Sequence, residues 1–545
     1  MSIIPNRLKQ PYRITTVTLF VALFLSLADN GAFLRAAFAV VDKTTTIGTD
    51  FKIVLTLCLL ALFSVLLSVV GFKGLFKPFV IFVLLSAAII SYFMGAYGVI
   101  IDTSMIQNAF ETDTKEALEL LNTGSIGHIV FFGLLPAWLV YRCPITYQPF
   151  LKELLSRLLV IGVAGILLGG MIFSYYKDFS LTMRENRELR FLINPTYPIY
   201  ALFKYIKQVN ASDVPLTAIG TDAKQSPLVL GKENGKKSLV VIVVGETARA
   251  ENFSLNGYAR ETNPYLSPLD IINYPNTYSC GTATAESVPC MFSSFAKEEY
   301  AVSKAKQQEN LLDILARAGI SVLWRDNNSG CKGVCDRVKT EAMDNLKLAE
   351  LCNTEECFDE ILLHELQAQL DQFKGDAVIV LHQKGSHGPA YFKRHPTQFT
   401  KFTPECVTNQ VQDCSQEQIT NAYDNTILYT DYFLAKVIAV LSKNASGFNT
   451  AMWYMSDHGE SLGEQGIYLH GLPYFLAPEQ QIHIPFVLWL SPEIRDSLAI
   501  DQACLKQHSK ERYSHDAIFH SLLGLMRVQT SVYQPASDVF FACRK

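Results

Sequence analysis

The chain has 545 residues, of which 49% are hydrophobic and only 18% are charged, and its net charge is −4 at pH 7. A chain of this length can form two or more domains, and the composition suits a membrane part joined to a soluble part. The slightly negative charge gives no electrostatic attraction to nucleic acid, so we exclude nucleic-acid binding.

Five apolar segments occupy the N-terminal third of the chain, and most are near the roughly 20 residues that a helix needs to cross the hydrocarbon core. They cover residues 14–41, 53–72, 79–101, 126–141 and 154–176. Lysine and arginine precede the first segment and lie between the second and third and between the fourth and fifth, which places these positions in the cytoplasm. The sequence therefore predicts a five-helix transmembrane domain over residues 1–176, with the remainder of the chain on the outer side.

Two polar segments flank the last spans. Residues 102–124 form an outer loop in which apolar side chains recur at helical spacing, which predicts an amphipathic helix. This helix either is an ordinary connection or faces both the bilayer surface and the soluble domain. Residues 177–237 are first rich in aromatic residues and arginine and then polar, which predicts interfacial bridging helices followed by a linker.

From residue 238 onward, short apolar strand patterns alternate with helical patterns. The five predicted strands cover residues 239–244, 321–324, 377–381, 451–455 and 486–490. This alternation predicts an α/β soluble domain over residues 238–545, with a mostly parallel central sheet flanked by helices. Ligands of such sheets collect at the carboxyl ends of the strands. Polar side chains at those ends are therefore candidates for a functional site.

Acidic and imidazole groups follow several of the predicted strands. Glu246 follows the first strand, His387 the third, Asp457 and His458 the fourth, and His470 comes shortly afterwards. Carboxylate oxygen and imidazole nitrogen are ligands of zinc in open catalytic sites. A single histidine at such a position usually has a structural role, but several groups at equivalent strand ends favour a metal site.

Ten of the twelve cysteines lie after residue 279, mostly as close neighbours in the sequence. The near-neighbour pairs are Cys280 and Cys290, Cys331 and Cys335, Cys352 and Cys357, and Cys406 and Cys414. An even number of such neighbours predicts disulfides and an oxidising compartment, which agrees with the predicted topology. A cysteine zinc site is the alternative, and no paired C-x2-C spacing supports it.

The first cysteine pair brackets the sequence CGTATAESVPC, which contains the hydroxyl groups of Thr282, Thr284 and Ser287. A hydroxyl is a weak nucleophile at its free pKa, and coordination by a metal activates it. The residues alone leave all three hydroxyls open as the nucleophile. A disulfide across this loop would hold the reacting group in place.

The sequences VVIVVGE, CGTATAESVPC and MSDHGES together resemble the lipid A phosphoethanolamine transferase family, whose members are membrane-anchored and have an alkaline phosphatase- or sulfatase-like catalytic domain. The resemblance covers nearly the whole chain. It implies that Thr284 is the nucleophile and that zinc is bound by Glu246, Thr284, Asp457 and His458. It implies substrate binding by Asn108, Thr112, Glu116, Ser329, Lys332, His387 and His470. His387 and His470 are alternatively ligands of a second zinc, and Glu460 and His483 are weaker candidates.

The resemblance also implies an activity. The expected reaction moves phosphoethanolamine from phosphatidylethanolamine to a lipid A phosphate of lipooligosaccharide or lipopolysaccharide, through a covalent phosphothreonine-type intermediate. We expect a monomeric, multi-pass protein of the bacterial inner membrane, with its catalytic domain in the periplasm, that confers resistance to polymyxin and cationic peptides. The alternatives are a phosphoglycerol transferase or a phosphodiester hydrolase on the same scaffold, or a membrane receptor with an inactive fold.

Overall fold

Two units make up the fold. The computed structural model describes residues 11–44, 48–111, 119–184, 186–210, 215–226, 235–353 and 356–545. The helical unit comprises Met1–Thr103 and Leu121–Lys204, and the sheet unit comprises Ser104–Leu120 and Tyr205–Lys545. The domain boundaries predicted at residues 176 and 237 stay predictions.

The longer helices are numbered here in chain order. They are α1 (Ile14–Leu27), α2 (Gly31–Thr44), α3 (Gly48–Val69), α4 (Phe76–Ala96), α5 (Thr103–Glu111), α6 (Thr123–Arg142), α7 (Phe150–Ser174), α8 (Thr196–Asn210), α9 (Thr284–Met291), α10 (Leu311–Arg317), α11 (Gln416–Lys443) and α12 (Asp516–Leu525). Shorter helices run over Tyr176–Phe179, Val302–Ala305, Leu366–Leu370, Glu479–Ile482, Pro492–Ser497 and Gln502–His508.

Among the described residues, α3, α4, α6 and α7 are each long and apolar enough to cross a membrane. The pair α1 and α2 passes the same criterion together but is bent by 59°, so the helical unit has four or five spans. The first of the five predicted segments is therefore two helices joined at a bend rather than one continuous helix, and the five-helix domain stays a prediction. Asn30 compensates for the break, since its side chain donates a hydrogen bond of 2.8 Å to the Leu25 carbonyl.

The strands of the main sheet are also numbered in chain order. They are β1 (Lys237–Gly245), β2 (Ile271–Tyr278), β3 (Ser321–Asp326), β4 (Lys339–Ala342), β5 (Ala377–His382), β6 (Phe448–Ser456), β7 (His483–Leu490) and β8 (Tyr513–Ser514). Two-residue strands pair separately, Tyr12–Arg13 with Ile145–Thr146, Lys224–Gln225 with Val528–Gln529, and Ser461–Leu462 with Tyr468–Leu469.

The strand order in the main sheet is β8-β2-β7-β6-β1-β5-β3-β4. Strand β1 is parallel to both of its neighbours, β5 and β6, whereas β7 runs antiparallel to β2 and β6. Every residue of β1 after Lys237 is buried, because a central strand is covered on both faces. Residues of α9, α10 and α12 share one apolar cluster with β1, and α11 packs against β6. The predicted fold class, a multi-pass helical part and an α/β part with a mostly parallel sheet, is confirmed.

Five disulfides lie in the sheet unit. They join Cys280 to Cys290, Cys331 to Cys335, Cys352 to Cys357, Cys406 to Cys414, and Cys504 to Cys543. The four near-neighbour pairs are those that the sequence indicates, and the fifth joins the two remaining cysteines of this unit. Cys58 and Cys143, in the helical unit, are free.

Candidate active site and metal centre

The carboxyl ends of β1 and β6 bring three acidic and imidazole groups together. Because β1 and β6 are parallel neighbours in register, Glu246 lies beside Asp457 and His458. His458 Nε2 is 3.5 Å from Glu246 Oε1 and 3.4 Å from Asp457 Oδ2. All three side chains are buried, and one ligand atom of each lies within 4.8 Å of the others.

Thr284 points its hydroxyl into this group from the first residue of α9. Its Oγ1 lies 3.1 Å from Glu246 Oε2 and 3.4 Å from His458 Nε2. The other two hydroxyls of the loop have different partners. Thr282 Oγ1 donates to the Leu472 carbonyl at 2.6 Å, and Ser287 Oγ accepts a hydrogen bond from the Gly281 amide at 3.0 Å. The geometry therefore separates Thr284 from the two alternatives that the sequence leaves open.

The loop that carries Thr284 is held at both ends. The Cys280–Cys290 disulfide closes it across α9. The Cys280 amide donates to His515 Nδ1 at 3.1 Å, and His515 Nε2 lies 2.8 Å from the Ser456 carbonyl at the end of β6. His515 thus ties the loop to the strand that carries Asp457, and its role is visible only in three dimensions.

Burial shifts the acid–base properties of the site toward neutral forms. It raises the pKa of Asp457 to about 6 and that of Glu460 to about 8. It lowers the pKa of His458 to about 4, helped by the nearby His470. A cation at this position would offset the cost of keeping the carboxylates charged.

The residues fit a zinc ion on the basis of their chemistry. They supply two carboxylates, one imidazole and one hydroxyl, which is a donor set that zinc accepts. Asp457 Oδ2 is buried and accepts no hydrogen bond within the part of the chain that the structure describes. His458 Nδ1 lies 2.9 Å from the Gly459 carbonyl, so Nδ1 carries the proton and Nε2 presents its lone pair to the group.

A second set of side chains borders the first. The ring centroids of His458 and His470 are 4.4 Å apart, and those of His387 and His470 are 5.4 Å apart. Glu460 Oε2 lies 3.3 Å from His470 Nδ1. The structure thus brings Glu460 to the site, whereas His483 contacts the Pro275 carbonyl through Nε2 at 2.7 Å.

A tight turn after β5 places His387. Gly385 has a φ of +55°, and a Cβ atom there would lie 2.6 Å from the Glu246 carbonyl oxygen. Only glycine fits such a close approach with this backbone conformation. The Ser386 amide then donates to the same Glu246 oxygen at 3.0 Å, so His387 follows directly beside the metal-binding candidates.

Ser329 and Lys332 lie together in the loop after β3. Lys332 Nζ donates to Ser329 Oγ at 2.8 Å and to the backbone oxygen of Glu111 at 3.0 Å. Asn108 lies one turn earlier than Glu111 on α5, within the sheet unit. Thr112 and Glu116, which the resemblance assigns to substrate binding, lie outside the described residues.

Two residues next to the site are not among those predicted from the sequence. Asn328 Nδ2 donates to Glu246 Oε2 at 2.6 Å and to the Gln383 carbonyl at 2.9 Å. Gln107 is buried on α5, and its Nε2 lies 3.4 Å from the carbonyl oxygen of Ala285, next to Thr284. Asn328 could have been predicted as a site residue, because it follows the parallel strand β3. Gln107 could not, because it contacts a backbone atom, which leaves no pattern in the sequence.

Comparison with known proteins gives consistent matches to both units. A family model described as Sulfatase matches residues 238–528, and one described as Phosphoethanolamine transferase EptA/EptB matches residues 59–209. Phosphoethanolamine transferase EptA of Escherichia coli is 42% identical over 97% of this chain and 96% of that protein. Phosphatidylethanolamine transferase Mcr-1 of Escherichia coli is 40% identical over 93% of this chain and 94% of that protein. The solved structure of lipooligosaccharide phosphoethanolamine transferase A (EptA) from Neisseria meningitidis superposes with a TM-score of 0.94, at 38% identity, over 97% of this chain and 99% of that chain.

Proposed function

Because the chain belongs to the phosphoethanolamine transferase family of EptA, we propose that it moves phosphoethanolamine from phosphatidylethanolamine to a phosphate of lipid A, with Thr284 as the nucleophile. The observation that carries this proposal is the direction of three hydroxyls in one loop. Only the hydroxyl of Thr284 faces Glu246 and His458, at 3.1 and 3.4 Å, while those of Thr282 and Ser287 are engaged elsewhere.

Glu246, Thr284, Asp457 and His458 are the proposed ligands of one zinc ion, and His387 and His470 are the proposed contacts of the substrate phosphate or of a second zinc. Bound zinc would lower the pKa of the Thr284 hydroxyl and would place positive charge beside the phosphoryl oxygens. Glu246 orients the Thr284 hydroxyl, and Asn328 orients Glu246.

In the first step, Thr284 Oγ1 forms a bond to the donor phosphorus as the bond to the diacylglycerol oxygen breaks. The hydroxyl proton leaves the threonine, and the diacylglycerol oxygen gains a proton, so charge is conserved. Lys332 and Ser329 face the transferred group and stabilise its negative oxygens. In the second step, a phosphate oxygen of lipid A forms a bond to the same phosphorus as the bond to Thr284 Oγ1 breaks, and Thr284 Oγ1 gains the proton that the lipid A phosphate loses.

Both proposed substrates are membrane lipids, and the chain is a multi-pass membrane protein. We place it in the bacterial inner membrane with the sheet unit in the periplasm, where the five disulfides are stable. Addition of an amine makes lipid A less anionic, which weakens the binding of polymyxin and cationic peptides. We propose that the protein acts as a monomer.

Intact mass spectrometry of the full chain after exposure to phosphatidylethanolamine tests this function. We expect the mass of one phosphoethanolamine group on the wild-type protein, located on Thr284 by peptide mapping. Thr284→Ala should form no adduct, whereas Thr284→Ser keeps a hydroxyl and should react more slowly.

Thr282→Ala and Ser287→Ala are the matched controls, because each removes a hydroxyl from the same loop. An adduct that persists in Thr284→Ala would contradict the nucleophile. An adduct from phosphatidylglycerol but not from phosphatidylethanolamine would instead support the phosphoglycerol transferase, and steady hydrolysis without transfer would support the hydrolase.

A further inference from the structure

A cavity of about 530 Å³ lies in the sheet unit beside Lys332, and of its lining residues the proposed mechanism uses only Ser329 and Lys332. Its wall includes Glu111 from the end of α5 and Ser329 and Lys332 from the loop after β3. Lys306 and Asp336 also line it. The cavity therefore adjoins Ser329 and Lys332, which face the transferred phosphoryl group in the proposed mechanism.

Most charged side chains at this cavity are neutralised by a partner in the protein. Glu309 binds Arg317 with both carboxylate oxygens at 2.6 Å. Arg337 binds Asp313 with two hydrogen bonds of 2.7 Å. These pairs satisfy each other and leave little attraction for a ligand.

Lys332 differs from these groups because it has no carboxylate partner among the described residues. Its three ammonium hydrogens meet neutral oxygens, namely Ser329 Oγ at 2.8 Å and the backbone oxygens of Ser329 and Glu111 at 3.0 Å each. Neutral acceptors hold the side chain in place and leave its positive charge uncompensated. Such a group suits an anion at the edge of the cavity.

The carboxylate of Glu111 complements the positive charge of Lys332. Its Oε1 accepts hydrogen bonds from Gln107 Nε2 and Lys306 Nζ, both at 3.0 Å. Its Oε2 is buried and has no hydrogen-bond partner in the described part of the chain. A buried carboxylate oxygen without a donor is unfavourable, so this atom is suited to a ligand that brings a donor.

Glu111 is also close to the nucleophile. Gln107 Nε2, which donates to Glu111 Oε1, lies 3.4 Å from the carbonyl oxygen of Ala285, next to Thr284. One amide group therefore links the carboxylate to the start of α9. Lys306 does not block the site electrostatically, because its side chain is 40% exposed and water screens its charge.

We propose that Glu111 Oε2 binds the ammonium group of the ethanolamine headgroup, while Lys332 faces the phosphoryl group of the same molecule. Phosphoethanolamine carries an anion and a cation joined by two carbons, and this part of the protein offers an uncompensated cation beside a carboxylate oxygen that lacks a donor. Glu111 would thereby select donors with an ammonium group over donors that end in a hydroxyl. This inference rests on the proposed function and adds the basis of its donor preference.

The test compares two donors with the full-length protein. One is phosphatidylethanolamine, and the other is the analogue in which a hydroxyl replaces the ammonium group. The readout is the ratio of the rates at which each donor forms the adduct on Thr284, with zinc content measured for every variant. Glu111→Gln keeps the hydrogen bond to Gln107 and removes the charge, so we expect the preference for the ammonium donor to fall about tenfold or more.

Lys306→Gln is a control that removes a positive charge, where Glu111→Gln removes a negative one. It breaks the Lys306–Glu111 ion pair but leaves the Glu111 carboxylate charged. The preference for the ammonium donor should therefore stay the same or rise. Asp336→Asn makes the same charge change as Glu111→Gln at an exposed position on the cavity rim, and the preference should stay. Where Glu111→Gln loses zinc, the pair Glu111→Asp and Glu111→Asn makes the same comparison, with the aspartate expected to keep more of the preference.

Several outcomes would overturn the inference. An unchanged preference in Glu111→Gln would exclude the ammonium contact. Equal losses in Glu111→Gln and Lys306→Gln would show that the ion pair has only a structural role. A wild-type protein that forms no adduct from either donor would instead refute the proposed function, and the inference would fall with it.

Discussion

Asn328 holds one oxygen of Glu246 at 2.6 Å and is itself fixed by the Gln383 carbonyl and the Ser329 amide. Partners that orient a ligand affect metal affinity as well as rate. We expect Asn328→Ala to weaken zinc binding by about 10- to 100-fold. Competition with a chelator of known affinity measures this effect without reference to activity.

Asn328→Asp is the matched variant, since it keeps the size of the side chain but puts a carboxylate against Glu246. It loses the amide donor to Glu246 but adds a negative charge that attracts the cation, so it should bind zinc more tightly than Asn328→Ala at neutral pH. Zinc affinity equal to that of the wild type in both variants would mean that Glu246 needs no support from this amide.

Asp431, which lies outside the candidate site, should make the stability of the folded protein depend on pH. Its side chain is buried on α11 and accepts a hydrogen bond of 2.7 Å from the Tyr265 amide. Burial raises the pKa of Asp431 to about 7. Between pH 4 and 7 the folded protein therefore retains a proton that the unfolded chain has released. Stability should fall as pH rises through this window, by up to about 1.4 kcal/mol per pH unit from this group.

Asp431→Asn removes this titration, so its free energy of unfolding should depend less on pH between 4 and 7. Urea unfolding of both proteins across this range measures the difference. Asp336→Asn, at an exposed aspartate, serves as the control. Identical pH slopes for the wild type and Asp431→Asn would show that Asp431 is ionised in the folded protein.

The main residues of the candidate site could be located from the sequence because each follows a buried strand. Glu246 and Asp457 meet because β1 and β6 pair in parallel, which the strand-end rule anticipates. Thr284 required the resemblance, since three hydroxyls share its loop. Gln107 could not be predicted, because its contact is a carbonyl 178 residues away and any residue supplies a carbonyl.

Two disulfides of the sheet unit have different expected effects on stability and on rate. Cys280–Cys290 spans 10 residues around Thr284, and Cys504–Cys543 spans 39 residues near the C-terminus. In the chain-entropy model a longer loop gives more stability, and each bond contributes about 2–4 kcal/mol. We expect Cys504→Ser with Cys543→Ser to lower the thermal midpoint more, while the adduct on Thr284 still forms.

Replacing Cys280 and Cys290 by serine should cost less stability but slow the adduct, because the loop then holds its hydroxyl less firmly. Thermal unfolding and the rate of adduct formation, measured on both double variants, separate the two effects. Equal slowing in both would show that the Cys280–Cys290 bond acts only through stability.

Two elements differ from the sequence-based expectation. Strand β2 contains Pro275, which cannot donate to a ladder and disfavours a strand in the sequence. The structure accommodates it with an irregularity in the register between Ile484 and Phe486 of β7. At the break between α1 and α2, the side chain of Asn194, from a distant part of the chain, donates a hydrogen bond of 3.0 Å to the Asp29 carbonyl.

Residues 236–545 hold every proposed zinc ligand. This part alone should fold, contain zinc by elemental analysis and cleave a small soluble phosphodiester. It lacks Ser104–Leu120, which the structure assigns to the sheet unit, so lipid transfer should be lost. A well-folded but metal-free product in the presence of zinc would contradict the ligand assignment.

The assignment of Ser104–Leu120 to the sheet unit has a consequence for biosynthesis. Lys332 contacts Glu111 across 221 residues of chain. At a synthesis rate of about 5–20 residues per second, α5 therefore waits roughly 10–40 s before its partner has been made. Gln107 and Glu111 spend this interval without the contacts that they make in the finished fold to Ala285, Lys306 and Lys332. The ribosome thus produces α5 long before Thr284 and Lys332, and the candidate site forms only when the late part of the chain contacts the early one.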